Sequence, residues 1–237
     1  DLLRSVSHDL RTPLTGIMGI ADILLSKEHK MDLETRRQFY ADIREDAAWL
    51  VGMVENLLYV TRIENGTIDL DTSPEELQEL IQGAQQRLSI QSEEHYICAH
   101  VPDEPILVEV DGRLVLQLII NLIDNALKYT PPGSHIDVTA SMQGEMALVE
   151  VADDGEGIPD EAKNRVFQRF VTEQKRSADS RKGIGLGLSI CKAIVHSHGG
   201  QIGLRDNQPK GSVFWFTLPL CEIEKTEEDV TGEVSEP

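Results

Sequence analysis

Residues 121–129 read Asn121-Leu122-Ile123-Asp124-Asn125-Ala126-Leu127-Lys128-Tyr129, the end of a periodic segment that begins near residue 111. Wound as a helix at ~100° per residue with Asn121 at the origin, the segment puts Asn125 near ~40° and Lys128 near ~340°. Val115, Leu116, Ile119, Ile120, Leu122, Ile123, Ala126 and Leu127 then fall between about 100° and about 260°. One side is continuously apolar and needs a covering layer. The other gathers two amides and an ammonium into a single stripe. Amide oxygens suit a hard cation such as Mg2+ and a lysine suits phosphate oxygens, while a plain solvated face is the rival reading of the same stripe.

Outward from this helix the pattern alternates. Downstream, strand-like runs at 135–142 and 146–152 lead into Asp153-Asp154-Gly155-Glu156-Gly157. Further on, Gly183-Ile184-Gly185-Leu186-Gly187-Leu188 opens a helix at 187–198, followed by strands near 201–205 and 212–218. Upstream, β-like runs occupy 95–100 and 106–110. Ser73-Pro74-Glu75-Glu76 carries a cap, a first-turn proline and a glutamate three residues after the cap, which predicts a helix from there to about Ile90. Mixed in this order, the elements predict an α/β layer, one sheet under helices. Glycine clusters let backbone N–H groups approach phosphates, and a helix N-terminus adds a favourable dipole; a carboxylate at Asp153 could accept from the exocyclic amine of adenine. The second cluster lacks the Lys-Ser or Lys-Thr of a Walker loop.

The first sixty-odd residues behave differently. Leu3, Leu10, Leu14, Ile17, Ala21 and Leu24 form one helical seam, and after the polar stretch Lys27–Asp32 a second seam runs through Tyr40, Ile43, Ala47, Leu50, Val54 and Leu57. This is an antiparallel hairpin, too small to bury a core alone, so pairing with a second copy into a four-helix bundle is expected. His8 lies about 160° from the first seam and faces solvent. Asp9 can accept from one imidazole nitrogen and leave the other as a nucleophile, and Pro13 should bend the helix just beyond His8. Asn65-Gly66 breaks the second helix.

Composition sets the outer bounds. The 237 residues suggest two modest domains, and 22 basic against 41 acidic residues give −19, a field that disfavours nucleic acid and anionic membrane surfaces as partners. Cys98, Cys191 and Cys221 show no CxxC spacing and imply neither a disulfide framework nor a zinc site. No apolar run approaches the ~18 residues of a membrane span. The start inside a helical pattern suggests a fragment whose sensor or membrane portion is missing. The tail 221–237 holds seven acidic residues and one lysine and is expected to be disordered.

Taken in order, His8-Asp9-Leu10-Arg11-Thr12-Pro13, Asn121-x-x-x-Asn125-Ala126-x-Lys128-Tyr129, Asp153-x-Gly155-x-Gly157, Phe167-x-x-Phe170 and Gly183-x-Gly185-Leu186-Gly187-Leu188 resemble the H, N, G1, F and G2 boxes of sensor histidine kinases. The text around Ser189–Val195 and His198-Gly199-Gly200 is most similar to the potassium-responsive type. The resemblance implies a dimerisation and phosphoacceptor hairpin at 1–65, an ATP-binding domain of the Bergerat (GHKL) α/β sandwich fold at 68–220, and the tail. His8 would attack the γ-phosphate of ATP, with Asp9 as acid/base and Thr12 orienting water for dephosphorylation of a partner. Asn125 with Asn121 would hold Mg2+, Lys128 would contact phosphate, Tyr129 would line the nucleotide site and Asp153 would bind adenine. Gly155, Gly157, Gly183, Gly185, Leu186 and Gly187 would shape the pocket, with 171–182 as a lid.

The phosphoryl group would pass to an aspartate of a response regulator receiver domain. The implied assembly is a homodimer in the cytoplasm, whose parent sits in the bacterial inner membrane through an upstream segment. The lid departs from the family pattern, reading Phe170-Val171-Thr172-Glu173 where many relatives carry an arginine or aromatic pair, and leaves Arg176, Arg181 or Lys182 as basic candidates. Two rivals stand beside this reading. One is a non-catalytic adaptor, which an intact His8 and Asn125 argue against; the other is a gyrase- or chaperone-type ATPase, which would lack the His-Asp-x-x-Thr-Pro hairpin.

Overall fold

The computed structural model describes residues 2–27, 31–64, 70–88, 94–168, 171 and 185–221, with side chains described from residue 10 onward except at 27, 45, 49 and 55–64. Two compact units result, Asp1–Asp69 with Ile158–Ile194 and Leu70–Gly157 with Val195–Pro237.

The first unit is led by two long helices, α1 (Leu2–Lys27) and α2 (Leu33–Glu64), packed on each other. Helix α1 runs uninterrupted through Pro13. Gly16 sits where an added Cβ would lie 3.0 Å from Asp46 Oδ2; the two positions are nearly equidistant from the link, as an antiparallel hairpin requires. Asp32 caps α2, its carboxylate accepting from the Thr35 N–H and Oγ1, each at 2.8 Å. Residues expected in the seams remain open in the single chain, with Leu14 51% and Val54 46% exposed. Leu3 and Leu57 of those seams, and the Asn65-Gly66 breaker, lie outside the described residues or side chains. The same unit holds a one-turn helix, α5 (Asp160–Lys163), tied by Lys163 Nζ to Asp160 Oδ1 at 2.6 Å, and the start of α6 (Gly187–Ser197).

The second unit is a layered α/β structure. A five-stranded sheet runs in the order β2 (Tyr96–His100), β4 (His135–Gln143), β5 (Met146–Asp153), β7 (Ser212–Pro219), β6 (Ile202–Asp206). The β2–β4 pair is parallel and every other pair antiparallel. Alternation along β5 buries Ala147, Val149 and Val151, and the same register in β7 buries Phe214, Phe216 and Leu218. That face is covered by α3 (Leu77–Leu88) and α4 (Gly112–Tyr129), which pack on each other and on the strands. The apolar side of α4 buries Val115, Leu118, Ile119, Leu122, Ile123 and Ala126, so the stripe carrying Asn121 and Asn125 is left on the outside.

One expectation fails. Ser73–Glu76 is not the first turn of a helix but a strand, β1, paired antiparallel with β3 (Leu107–Val110) from Ser73↔Val110 to Glu76↔Leu107. Helix α3 starts only at Leu77. The capping hydroxyl of Ser73 instead donates to Glu75 Oε1 at 2.9 Å. Tertiary pairing satisfies four backbones at once, which a local cap cannot match. The small sheet is extended by an isolated bridge between Val108 and Leu220 and by the Cys221 N–H donating to the Leu107 carbonyl at 2.8 Å. The acidic tail beyond Cys221 lies outside the described residues.

Candidate nucleotide and phosphoacceptor sites

In the second unit the site grows from the two ends of the sheet and helix layer. Helix α4 delivers the stripe. Asn121 and Asn125 are half-buried, and Lys128 and Tyr129 are exposed at its last turn. Asn121 Oδ1 accepts from Gln117 Nε2 at 2.9 Å, while its Nδ2 is buried without a partner among the described residues. An amide oxygen has two lone pairs, so one is left for a cation, and an orphaned N–H2 is a donor awaiting an anionic oxygen. Lys128 Nζ is paired with Asp124 Oδ2 at 2.5 Å, one turn back on the same exposed face. Such a surface pair is worth only about 0–1 kcal/mol and yields readily to a more highly charged anion.

The C-terminal end of α4 meets the turn that follows β5. Thr130 is buried and its Oγ1 donates to the Ala126 carbonyl at 2.8 Å. A Cβ at Gly155 would stand 2.9 Å from Thr130 Cγ2 and 3.0 Å from Asp153 Oδ1, so only glycine lets this turn lie against the helix end. Asp153 is buried, with Oδ1 accepting from the N–H groups of Gly155 (2.9 Å) and Ser212 (3.2 Å). Oδ2 has no partner among the described residues. Burial pushes the Asp153 carboxyl above the ordinary range, against the pull of those two N–H groups and with a further rise from neighbouring Asp154.

Sequence reasoning missed the loop between β6 and β7 that grips this aspartate. Asn207 Nδ2 donates to the Asp153 carbonyl at 2.8 Å, and Gly211, at φ +106°, comes so close to that carbonyl that no side chain could be accommodated. The signal available was weak, because the contacts span 54 and 59 residues and a lone Asn-x-Pro-x-Gly turn is common. Gln117, four residues before Asn121, was legible as a helix-face neighbour but was not singled out.

Gly157, at the end of the turn that follows β5 in the second unit, adopts φ +79°, and a Cβ there would lie 3.2 Å from the Gly211 carbonyl oxygen. The remaining candidates belong to the first unit or lie outside the described residues. Gly185 adopts φ +71° and Leu186 is buried, its carbonyl accepting from Ser189 Oγ at 2.8 Å and from the Ile190 N–H at 2.9 Å where α6 begins. Gly187 has open space at its Cβ position. Gly183, Phe170 and the proposed lid apart from Val171, including Arg176, Arg181 and Lys182, lie outside the described residues. His8 and Asp9 fall within α1, but their side chains are outside the description. Thr12 follows one turn later, exposed and partnered. Among the described residues no three of His, Cys, Asp or Glu form a metal cluster. A magnesium ion that takes one or two amide oxygens and completes its shell with phosphates and water needs no such cluster, and Asn125 with the spare lone pair of Asn121 fits it. Among the described residues no helix is long and apolar enough to cross a membrane.

Comparison with known proteins agrees with this geometry. Residues 1–66 match the His Kinase A (phospho-acceptor) domain, and residues 110–222 match the histidine kinase-, DNA gyrase B- and HSP90-like ATPase family. The chain is 39% identical over 219 residues to the sensor protein KdpD of Clostridium acetobutylicum, spanning 92% of this chain and 24% of that protein. It thus corresponds to about a quarter of the length of that relative. The solved structure of the mycobacterial sensor histidine kinase MprB is similar at 31% identity and TM-score 0.56, over 62% of this chain and 98% of that one. Histidine kinase ThkA, solved in complex with the response regulator protein TrrA, is similar at 28% identity and TM-score 0.62, over 92% of this chain and 60% of that one. A phosphoacceptor hairpin, an α/β layer with an amide and lysine stripe beside a buried aspartate, and relatives matched along nearly the whole chain lead to one conclusion: the chain belongs to the sensor histidine kinases, a family of ATP-dependent protein-histidine kinases.

Proposed function

We propose that this chain is the catalytic core of a two-component sensor kinase, divided near residue 65, that phosphorylates His8 from ATP and passes the phosphoryl group to a response regulator. The observation that carries the reading is Asp153. A buried carboxylate with one oxygen pinned by two backbone N–H groups and the other unpartnered is arranged to accept from an amine, and the exocyclic amine of adenine has that chemistry. Tyr129 would line the same ring, Gly155 and Gly157 would keep the pocket floor thin, and Gly183, Gly185, Leu186 and Gly187 would serve the phosphate end. Lys128, released from Asp124, and the orphaned amide of Asn121 would bind phosphate oxygens. Asn125, assisted by Asn121 Oδ1, would hold Mg2+, which when bound neutralises charge on the phosphates.

In the reaction an imidazole nitrogen of His8 attacks the γ-phosphorus, the bond to the β–γ bridging oxygen breaks, and ADP leaves. Asp9 holds the imidazole proton and tautomer. An aspartate oxygen of a receiver domain then attacks the same phosphorus and the N–P bond breaks, restoring His8. The ThkA relative, solved with a response regulator, supports such a partner, and the phosphoacceptor hairpin supports a homodimer. Thr12, one turn from His8, would orient a water that attacks the receiver's aspartyl phosphate, breaking its O–P bond and releasing inorganic phosphate. To test the scheme, the chain is incubated with γ-labelled ATP and Mg2+ and a purified receiver domain is added. Label should move from the chain to the receiver, and Asn125→Asp should abolish labelling while the dimer persists. Normal labelling of that variant would refute the metal assignment.

A further inference from the structure

Asp111 and His198 are both buried, and they meet although 87 residues separate them: the Asp111 N–H donates to His198 Nε2 at 3.0 Å. A backbone N–H can only donate, so Nε2 carries no proton and the ring is neutral, with its proton on Nδ1. Asp111 is the N-cap of α4, with φ −76° and ψ 100°, and its Oδ1 accepts from the Arg113 and Leu114 N–H groups. Its carbonyl accepts from Val115 at 3.0 Å. Its own N–H, a buried donor, still needs an acceptor. In a capping box that N–H goes to a Glu or Gln at the third helical position. Here that position is Leu114, which has no acceptor, and the first turn of α4 contains no acidic residue. The acceptor comes instead from His198, the residue directly after α6.

We propose that His198 is a positioning residue of the nucleotide site, a neutral imidazole that replaces the missing capping-box acceptor and thereby sets where α4 begins. The inference rests on the nucleotide reading above. Asn121, Asn125 and Lys128 all ride on α4, and a helix is stiff over this span. A shift at the cap therefore reaches the stripe nearly undiminished, and misplacing a binding group by ~1 Å can cost about a hundredfold. Without an acceptor at 198 the Asp111 N–H must find another by moving the start of the helix, because a buried donor left unpaired is costly.

The test is a pair of variants of equal size. In His198→Gln the terminal amide oxygen reaches as far as Nε2 and accepts; in His198→Met the same volume is filled with only a weak acceptor. The Met variant should raise the ATP KM of autophosphorylation about tenfold, and the Gln variant should stay within about twofold of the parent, the difference an unsatisfied donor makes. If the two variants match the parent in KM and differ only in melting temperature, His198 is structural alone and the proposal falls. A parent chain that fails to bind ATP overturns the nucleotide reading and this proposal with it, a distinct result. Long-range 1H–15N spectra of the unaltered protein give a check independent of folding in the variants. The ring should be protonated at Nδ1 and bare at Nε2 at neutral pH, and an Nε2–H tautomer would contradict the assignment.

Discussion

Asp153 shows how a single residue can be unfavourable for the fold and still be held in place for the adenine-binding role proposed for it. Its folded carboxyl titrates above the ordinary value because burial penalises the charge more than the Gly155 and Ser212 N–H groups compensate. A group raised in this way contributes stability that is present below its unfolded value and lost as pH rises through the folded value. At neutral pH the ionised side chain is therefore a net burden. Asp153→Asn keeps an oxygen for both N–H groups, removes the charge, and turns an amide N–H2 towards the adenine amine. It should hold or raise the melting temperature at pH 7 while weakening ATP binding by at least about tenfold, measured by calorimetry on the same preparation. The aspartate itself was legible in Asp153-x-Gly155-x-Gly157. Its grip by Asn207, Gly211 and Ser212 was not, because nothing local to residue 153 announces a loop more than fifty positions away.

At the scale of elements, long periodic segments were readable and short ones depended on tertiary pairing. Helix α4 carried its own signal, an apolar side matched by the buried Val115, Ile119, Leu122, Ile123 and Ala126. The Ser73 segment carried an equally regular helix-start signal and became β1, because β3 offered four backbone partners. The start of α2 is set locally, by the Asp32 carboxylate and the Thr35 N–H and hydroxyl. Asp32 is held below the usual carboxylate range by the Thr35 N–H and hydroxyl. A lowered pKa contributes stability that is present above the unfolded value of 3.8 and lost as pH falls through the folded one. Asp32→Ala should therefore lower the helical melting temperature at pH 7, and the gap between variant and parent should close as the pH falls below 3.8 and through the lowered folded value. Circular dichroism melts across that range provide the check.

At the scale of the whole molecule, the acidity that discouraged a nucleic-acid partner is consistent with a chain whose chemistry is done by a few placed groups. The hairpin is unfinished as a single copy. Leu14 and Val54, both on the seams read from sequence, are about half exposed, and a second copy would cover them. Leu14→Glu combined with Val54→Glu should convert a dimer to a monomer in light scattering while the second unit still binds Mg-ATP. A dimer that survives both charges would place the interface elsewhere. The α/β layer and hairpin were foreseeable because their periodicities are long. The cap shared by His198 and Asp111 was not, since it joins residues 87 positions apart.

The central claim, that His8 receives the γ-phosphoryl group of ATP, is tested most directly by the chemical stability and position of the label. Incubation with γ-labelled ATP and Mg2+ should yield a base-stable, acid-labile phosphoryl group on the chain, and His8→Gln should carry none. An acid-stable label, or one that persists in the His8→Gln variant, would contradict the account.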